Sequence, residues 1–322
     1  MKAFPAALFC AALLVGGTVS AQPYPSRPIR LIVPLAAGST ADILSRTLGN
    51  ELAKEFGQQI VVDNKPAAGG SVAMAELARS PADGYTISFA SQGTLVFNQV
   101  LYAKPGYDSL KDFAPIMLIG GVSNVMVVPP TSTAASPAEV IAQAKAKPGA
   151  LTFSSGGSGT SHHLSGVLFG QLTGTDLLHI PYKGAPQGIF AVMSGEVTMG
   201  FFNTPTVITQ IKDGKLKALA VTSRERSTLL PQLPTLQESG VKDYEVNTWF
   251  GFVAPAGTPT DVIQRLHGAI AKAVAQPAIR ERLAAQGFDL VPTQPPAALT
   301  KLLREDMEKW PAVIKASGAK VD

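Results

Sequence analysis

The feature that most limits the fold of this 322-residue chain is a recurring order: a short β-rich run, a loop rich in glycine or hydroxyls, then an amphipathic run. Ile29 to Val33 reads as a strand, and Leu44, Leu48, Leu52 and Phe56 then recur at near-helical spacing until Gly57 stops the helix. A second strand is read at Ile60 to Asp63, a helix from near Gly70 to Ser80-Pro81, and a third strand at Tyr85 to Ala90. Strands alternating with helices demand right-handed crossovers, so α/β architecture with mostly parallel sheets flanked by helices is expected.

The order recurs in the middle of the chain. Ser136-Pro137-Ala138-Glu139 has the form of a capping box with proline at the first helical position, and Lys147-Pro148-Gly149 closes that helix. Strands are read at Leu151 to Phe153, Leu177 to Ile180, Val197 to Phe201 and Leu216 to Thr222. Two further apolar runs, Ile116 to Val128 around Gly120-Gly121 and Trp249 to Ala254, are assigned as crossings between two α/β units. Beyond Thr258-Pro259-Thr260-Asp261 the chain reads as nearly all helical. A chain that leaves one unit and later returns makes a two-strand hinge, the geometry of closure around a ligand. The expected domains are residues 22–123 plus 247–322, and 124–246.

The first 21 residues read as a signal peptide. Lys2 is its positive region, Ala6 to Val15 its apolar region, and Val19-Ser20-Ala21 a small-x-small site with cleavage after Ala21. The apolar run is shorter than the roughly 20 residues that span a bilayer. Cys10, the only cysteine, lies inside this segment, so the exported chain would have no disulfide, thiol nucleophile or zinc-cysteine site. Loss of Lys2 takes the formal charge from +4 to +3. With no polybasic run or basic-aromatic stripe, nucleic acid is excluded as a partner, and a mildly positive body does not repel an anion.

Two loops carry the strongest indication of function: Pro34 to Asp42 and Ser154 to His163. Ligands of open α/β sheets bind beyond the carboxyl ends of strands. There the free N–H groups and positive dipole end of a helix face the ligand. Neither loop contains lysine or arginine, so neutral donors would hold an anion, an arrangement suited to a carboxylate with bridging water. Such loops also serve merely to turn the chain and cap helices, but two of them, one per unit, favour binding. The expected contacts are Ala37, Gly38, Ser39 and Thr40 from the first loop, and Ser155, Gly159, Thr160, Ser161 and His163 from the second. Ser91 and Thr94 after the third strand, Gly184 and Ala185 after Ile180-Pro181-Tyr182-Lys183, and Phe202 and Asn203 complete the set. Asp42 is assigned a structural role in the first helical turn, paired with Arg46.

Catalytic and cofactor signatures fail. No Gly-x-x-x-x-Gly-Lys-Ser/Thr run exists. The stretch Gly156-Gly157-Ser158-Gly159-Thr160 lacks the second glycine of a nucleophile elbow. His162, His163, His179 and His267 are too scattered for a metal motif, and adjacent His162 and His163 face different sides of a helix. His163 is left open between the pocket, orientation of its loop, and helix packing. The competing reading is a secreted serine hydrolase using Ser158 or Ser161 with His163, for which no motif supplies an orienting third group. No cofactor and no metal are expected.

Taken together, several segments resemble the Bug-type extracytoplasmic solute receptors, the substrate-binding components of tripartite tricarboxylate transporters. They are Tyr24-Pro25-Ser26-Arg27-Pro28-Ile29, Ala82-Asp83-Gly84-Tyr85-Thr86, Ser155 to His163, Pro181-Tyr182-Lys183-Gly184, Gly214 to Thr222, Leu233-Pro234-Thr235, and Trp249-Phe250-Gly251 with Ala254 to Pro259. The resemblance implies a type II periplasmic-binding-protein fold, a periplasmic location, a monomer that binds a small organic anion, and a membrane permease or a sensor as partner. Two departures stand out. The first loop, commonly Pro-Gly-Gly-x-x-Asp in that family, here reads Ala36-Ala37-Gly38-Ser39-Thr40-Ala41-Asp42, and Ala191 stands where aspartate is common. Loss of that aspartate is expected to remove a polar group from the distal end of the site, disfavouring amino acids and favouring an aromatic or aliphatic di-acid.

Overall fold

The computed structural model describes residues 24–316, so the signal segment read at residues 1–21 lies outside the described residues. β1 (Ile29–Val33) leads into α1 (Thr40–Phe56), β2 (Ile60–Asn64), α2 (Ser71–Ala78) and β3 (Thr86–Ser91). A π-helical stretch over Gly93–Phe97 then runs into the short α3 (Asn98–Leu101). The long β4 (Phe113–Val128) follows, and then α4 (Pro137–Ala146), β5 (Leu151–Ser155), α5 (Ser161–Thr173) and β6 (Leu177–Pro181). Next come α6 (Ala185–Met193), β7 (Met199–Asn203), α7 (Thr204–Lys212) and β8 (Lys217–Val221). The chain returns through β9 (Asn247–Pro255) and ends in α8 (Thr260–Ala275), α9 (Pro277–Ala284), β10 (Asp289–Leu290) and α10 (Ala297–Ala316).

Local chemistry explains many of these boundaries. Ser39 caps α1 by accepting the Asp42 N–H, and Gly57 ends it in the left-handed conformation. Ser136 caps α4 with proline in the first turn. The Glu139 carboxylate accepts the N–H of Ala135 rather than that of the cap residue itself.

The strands form two groups with the same internal order. The first runs β2-β1-β3-β9-β4 and the second β6-β5-β7-β4-β8. β1 pairs in parallel with β2 and β3, and β5 with β6 and β7. β4 and β9 run antiparallel to all their neighbours, so parallel pairing is confined to the outer strands and the sheet as a whole is mixed. The reason is connectivity: β4 and β9 pass between the groups instead of closing a right-handed crossover within one. β4 serves both groups, through Phe113–Ser123 against β9 and through Asn124–Val128 against β7 and β8.

Helices cover both faces of each group. In the first, α1, α8 and α9 pack with Leu44, Leu48, Leu266 and Leu283 on a core that includes Phe89 and Phe252. α2 and α10 close the other face through Met74, Leu303 and Trp310. In the second, Phe153, Phe169, Phe201 and Tyr244 fill one face, while Ile189, Val192, Phe202 and Val207 fill the other. Among the described residues no helix is long and apolar enough to cross a membrane.

β10 interrupts the C-terminal stretch that reads as helical. Two residues are too short to leave a periodicity, and the strand exists because Gly120 and Gly121 let it pair closely with β4. Gly120 sits at φ +147, and a β-carbon there would overlap the carbonyl of Asp289. Gly120→Ala is therefore expected to destabilise the protein by about 1–3 kcal/mol, read as a lower urea midpoint at unchanged slope.

Candidate functional site

The loops after β1, β3, β5, β6 and β7 converge on a cavity between the two groups of strands. Thr248 and Phe250 of β9 also line it, and Leu35, Ala36 and Ala185 add apolar wall. No aspartate, glutamate, lysine or arginine lines it, and the one titratable side chain in its wall is the imidazole of His162. Four helices of nine or more residues begin at this wall: α1 after Ser39, α5 after Thr160, α6 after Gly184 and α7 after Asn203. Ser39 and Thr160 cap the third N–H of their helices, from Asp42 and His163. A helix has no partner of its own for its first N–H groups, which here belong to Thr40, Ala41, Ser161, His162 and Ala185. The cavity is thus surrounded by uncommitted donors and positive dipole ends, the local chemistry of an anion site.

A buried polar chain ties the two sides of the cavity together. Thr40 Oγ1 donates to Asn203 Oδ1 at 3.1 Å, linking the start of α1 to the start of α7. His162 Nε2 reaches the same oxygen at 3.1 Å, and Asn203 Nδ2 donates to Asn124 Oδ1 at 2.5 Å. Asn124 in turn donates to Ser165 Oγ at 2.8 Å. His162 Nδ1 accepts the Gly156 N–H, so its proton sits on Nε2 and the ring is neutral. Burial holds its pKa down to about 4.

His163 lies behind the wall. Its Nδ1 accepts the Gly159 N–H, and its ring stacks on His179 at 4.1 Å, which stacks in turn on Phe153 at 4.8 Å. Ser155 Oγ sits 2.7 Å from His179 Nε2 and accepts the Gly157 N–H. This stack supports the loop from Gly156 to Gly159 from below. Burial lowers His163 to about 4; burial, with the neighbouring His163, takes His179 to about 3.

A second support comes from α10. The buried Asp306 carboxylate accepts Trp249 Nε1 at 2.6 Å and Gln92 Nε2 at 2.8 Å. Gln92 lies between cavity residues Ser91 and Gly93, and Trp249 between cavity residues Thr248 and Phe250. One carboxylate thereby fixes two wall segments that are distant in sequence.

The rim is built from backbone. A β-carbon at Gly69 would stand 2.5 Å from Ser158 O, and one at Gly159 would stand 2.5 Å from Asn98 Oδ1. A β-carbon at Gly184 would meet that of Ala36. Segments from the two groups of strands thus approach at main-chain distance on several sides of the cavity.

Ser39, Thr40, Ser91, Thr94, Gly159, Thr160, Ser161, Gly184, Ala185 and Asn203 all line the cavity. Ala37 and Gly38 do not: both are exposed, and the Gly38 N–H is committed to Asp42 Oδ2. Asp42 also accepts Arg46 Nε at 2.9 Å, the structural pairing expected of it. Ser155, His163 and Phe202 sit one layer behind the wall. The cavity histidine is His162, one position away on the helix and on a different face. Ala191 is buried in the apolar core of the second group, so the absent aspartate leaves no mark on the cavity wall. Sequence reasoning did not place Gly69, Gly156, Thr248 or Phe250 on the wall. For the last two, the alternation of Thr248, Trp249 and Phe250 along a strand was the available signal.

The hydrolase geometry is missing. Neither Ser158 nor Ser161 bonds to His163, whose ring is held by Gly159 and packed between neighbours, and Ser161 Oγ accepts from Asn203 instead. Among the described residues no cluster of three or more histidine, cysteine, aspartate or glutamate side chains could hold a metal ion.

Two α/β groups of this strand order, sharing two crossing strands and closing on one cavity, define the periplasmic-binding-protein fold, which solved relatives share. The chain belongs to the tripartite tricarboxylate transporter family receptors, whose family model matches residues 44–319. It is 35% identical over 315 residues to protein BugT of Bordetella pertussis, covering 98% of this chain and 96% of that one. Rpa4515 of R. palustris, solved with adipate, is 31% identical with a TM-score of 0.89, covering 92% of this chain and 100% of that one. MatC of Rhodopseudomonas palustris, solved with bound malate, is 27% identical with a TM-score of 0.86, covering 90% of this chain and 100% of that one.

Two predictions follow from the supports of the site. The imidazoles of His162, His163 and His179 protonate near the ordinary value of 6.5 in the unfolded chain but at about 4, 4 and 3 when folded. Between those limits the unfolded chain holds more protons, so stability is full above pH 6.5 and declines as pH falls toward 4. Thermal midpoints taken across this window should show that decline, and His163→Gln should flatten it. Both bonds run to one oxygen of Asp306, so Asp306→Ala, which leaves the Trp249 and Gln92 N–H groups unpaired in the interior, should cost about 1–3 kcal/mol in urea unfolding and alter Trp249 emission.

Proposed function

We propose that this chain is an exported receptor that encloses a small organic carboxylate between two domains and delivers it to the membrane permease of a tripartite transporter. The observation that carries the proposal is the convergence of four helix N-termini on one cavity without a lysine or arginine in its wall. Each such terminus favours a negative charge by about 0.3–1 kcal/mol, and more when partly buried. Uncommitted N–H groups supply the hydrogen bonds that a carboxylate needs without a compensating cation. The relatives solved with adipate and with malate support the same ligand class.

In this reading residues 24–123 with 247–316 form one domain and residues 124–246 the other. β4 and β9 are the hinge, and the Thr40–Asn203 hydrogen bond is the latch of the closed form. The leader at residues 1–21 directs export and is removed after Ala21.

Thermal shift with mono-, di- and tricarboxylates tests the ligand class, because a solute bound only by the folded protein raises its midpoint. At least one carboxylate should do so. A midpoint raised by neutral sugars or amines and by no organic acid would overturn the proposal. Asn203→Asp replaces the donor to Asn124 and adds a negative charge at the wall, so calorimetric titration should show affinity for that acid falling by tenfold or more, on the order expected when a charged pairing is reversed in a buried site.

A further inference from the structure

We infer that the solute carries, beside its carboxylate, an oxygen substituent on its carbon skeleton, a hydroxyl or a carbonyl, and that Thr248 is the residue that selects it. The inference rests on the carboxylate reading above and adds to it the second recognition element.

The argument begins with the polar side chains of the cavity wall. Ser39, Thr40, Ser91, Thr94, Thr160, Ser161, His162 and Asn203 all take part in hydrogen bonds with neighbouring protein groups. Thr248 differs. It lines the cavity, its residue is 4% exposed, and its Oγ1 is buried with no hydrogen-bond partner. Buried polar atoms in folded proteins are nearly always paired, so an unpaired hydroxyl on a residue of the cavity wall calls for a partner.

The position of Thr248 is fixed by its surroundings. Successive residues of a strand face opposite sides, and Phe250, two residues on, lines the same cavity. Trp249 between them is anchored to Asp306 at 2.6 Å, which holds the register of the strand. Across the ladder Thr248 stands opposite Val122, whose side chain offers no hydrogen bond. Phe250 itself pairs with Ser91 at the end of β3. Thr248 therefore stands on a strand held from behind and beside the aromatic ring of Phe250 in the cavity wall. A carboxylate engaged by the helix ends would bring the adjoining carbon skeleton over this strand. An oxygen on that skeleton would accept from Thr248, whereas a bare methylene would leave the hydroxyl unpaired.

The test is calorimetric titration of the exported chain with matched acids: succinate against malate, glutarate against 2-hydroxyglutarate and 2-oxoglutarate, and benzoate against 3-hydroxybenzoate. In at least one set the oxygenated acid should bind on the order of tenfold tighter than its parent, the discrimination expected of a site built around a hydroxyl. The hydroxy and oxo arms then separate the two kinds of oxygen. Thr248→Val should abolish the preference, and Thr248→Ser, which keeps the hydroxyl, should retain it. The thermal midpoint of Thr248→Val without solute should equal or exceed that of the natural chain, since no hydrogen bond is lost. Equal binding of parent and oxygenated acids, a preference that survives Thr248→Val, or a lowered midpoint in that variant would each overturn the inference. Failure of every acid to bind would instead overturn the carboxylate reading, and this inference with it.

Discussion

The ladder between β4 and β9 is the interaction on which the rest of the molecule depends. It joins Phe113 to Ser123 with Asn247 to Pro255 in antiparallel register, and at its end β4 changes partners and continues against β7 and β8. Every element of the second group is inserted between these two strands. Their separation and twist therefore set the relation of one half of the cavity to the other. The same strands also supply wall and support: Thr248 and Phe250 face the cavity, and Trp249 is held from behind by Asp306.

The walls follow from a simple electrostatic economy. An arginine or lysine in so enclosed a space would need a permanent counter-charge or suffer a desolvation penalty whenever the solute left. Helix ends avoid the difficulty because their partial charge is spread over main-chain groups already fixed by the helices. Neutrality extends to the histidines: His162 is locked as one tautomer by Gly156 and Asn203, and burial disfavours the charged forms of the stacked His163 and His179. The polar side chains are for the most part committed to one another, so the site keeps its shape through hydrogen bonds that do not require the solute.

Much of the fold was legible because it rests on local rules. The apolar stripe of α1, the cap residues Ser39 and Ser136, the stop at Gly57 and the Asp42–Arg46 pair all depend on neighbours within a few positions. Ten of the fifteen expected contacts line the cavity for the same reason, being the caps and turns at the ends of strands. What sequence reading missed depends on contacts far apart in the chain. Choosing between His162 and His163 requires knowing which face of α5 meets Asn203, a residue 41 positions away. Asp306 meets Gln92 across 214 positions, and nothing near Asp306 marks it as different from other acids of an amphipathic helix. β9 looked like a plain apolar crossing because Thr248 and Phe250 acquire their meaning only from what they face. The two groups share a strand order but no visible sequence repeat, as expected where topology is preserved by packing and not by particular side chains.

The glycines at the rim have a consequence for how such a receptor can diversify. Where Gly69 meets Ser158, Gly159 meets Asn98 and Gly184 meets Ala36, the two halves meet at main-chain distance and leave no room for even a methyl group. Any side chain added there acts as a spacer between the two halves whatever solute lies inside. Variation in what the protein captures is thereby directed inward, to the few wall positions that face the cavity without touching the opposite half, while the rim is held to the smallest residue by the fit between two facing surfaces.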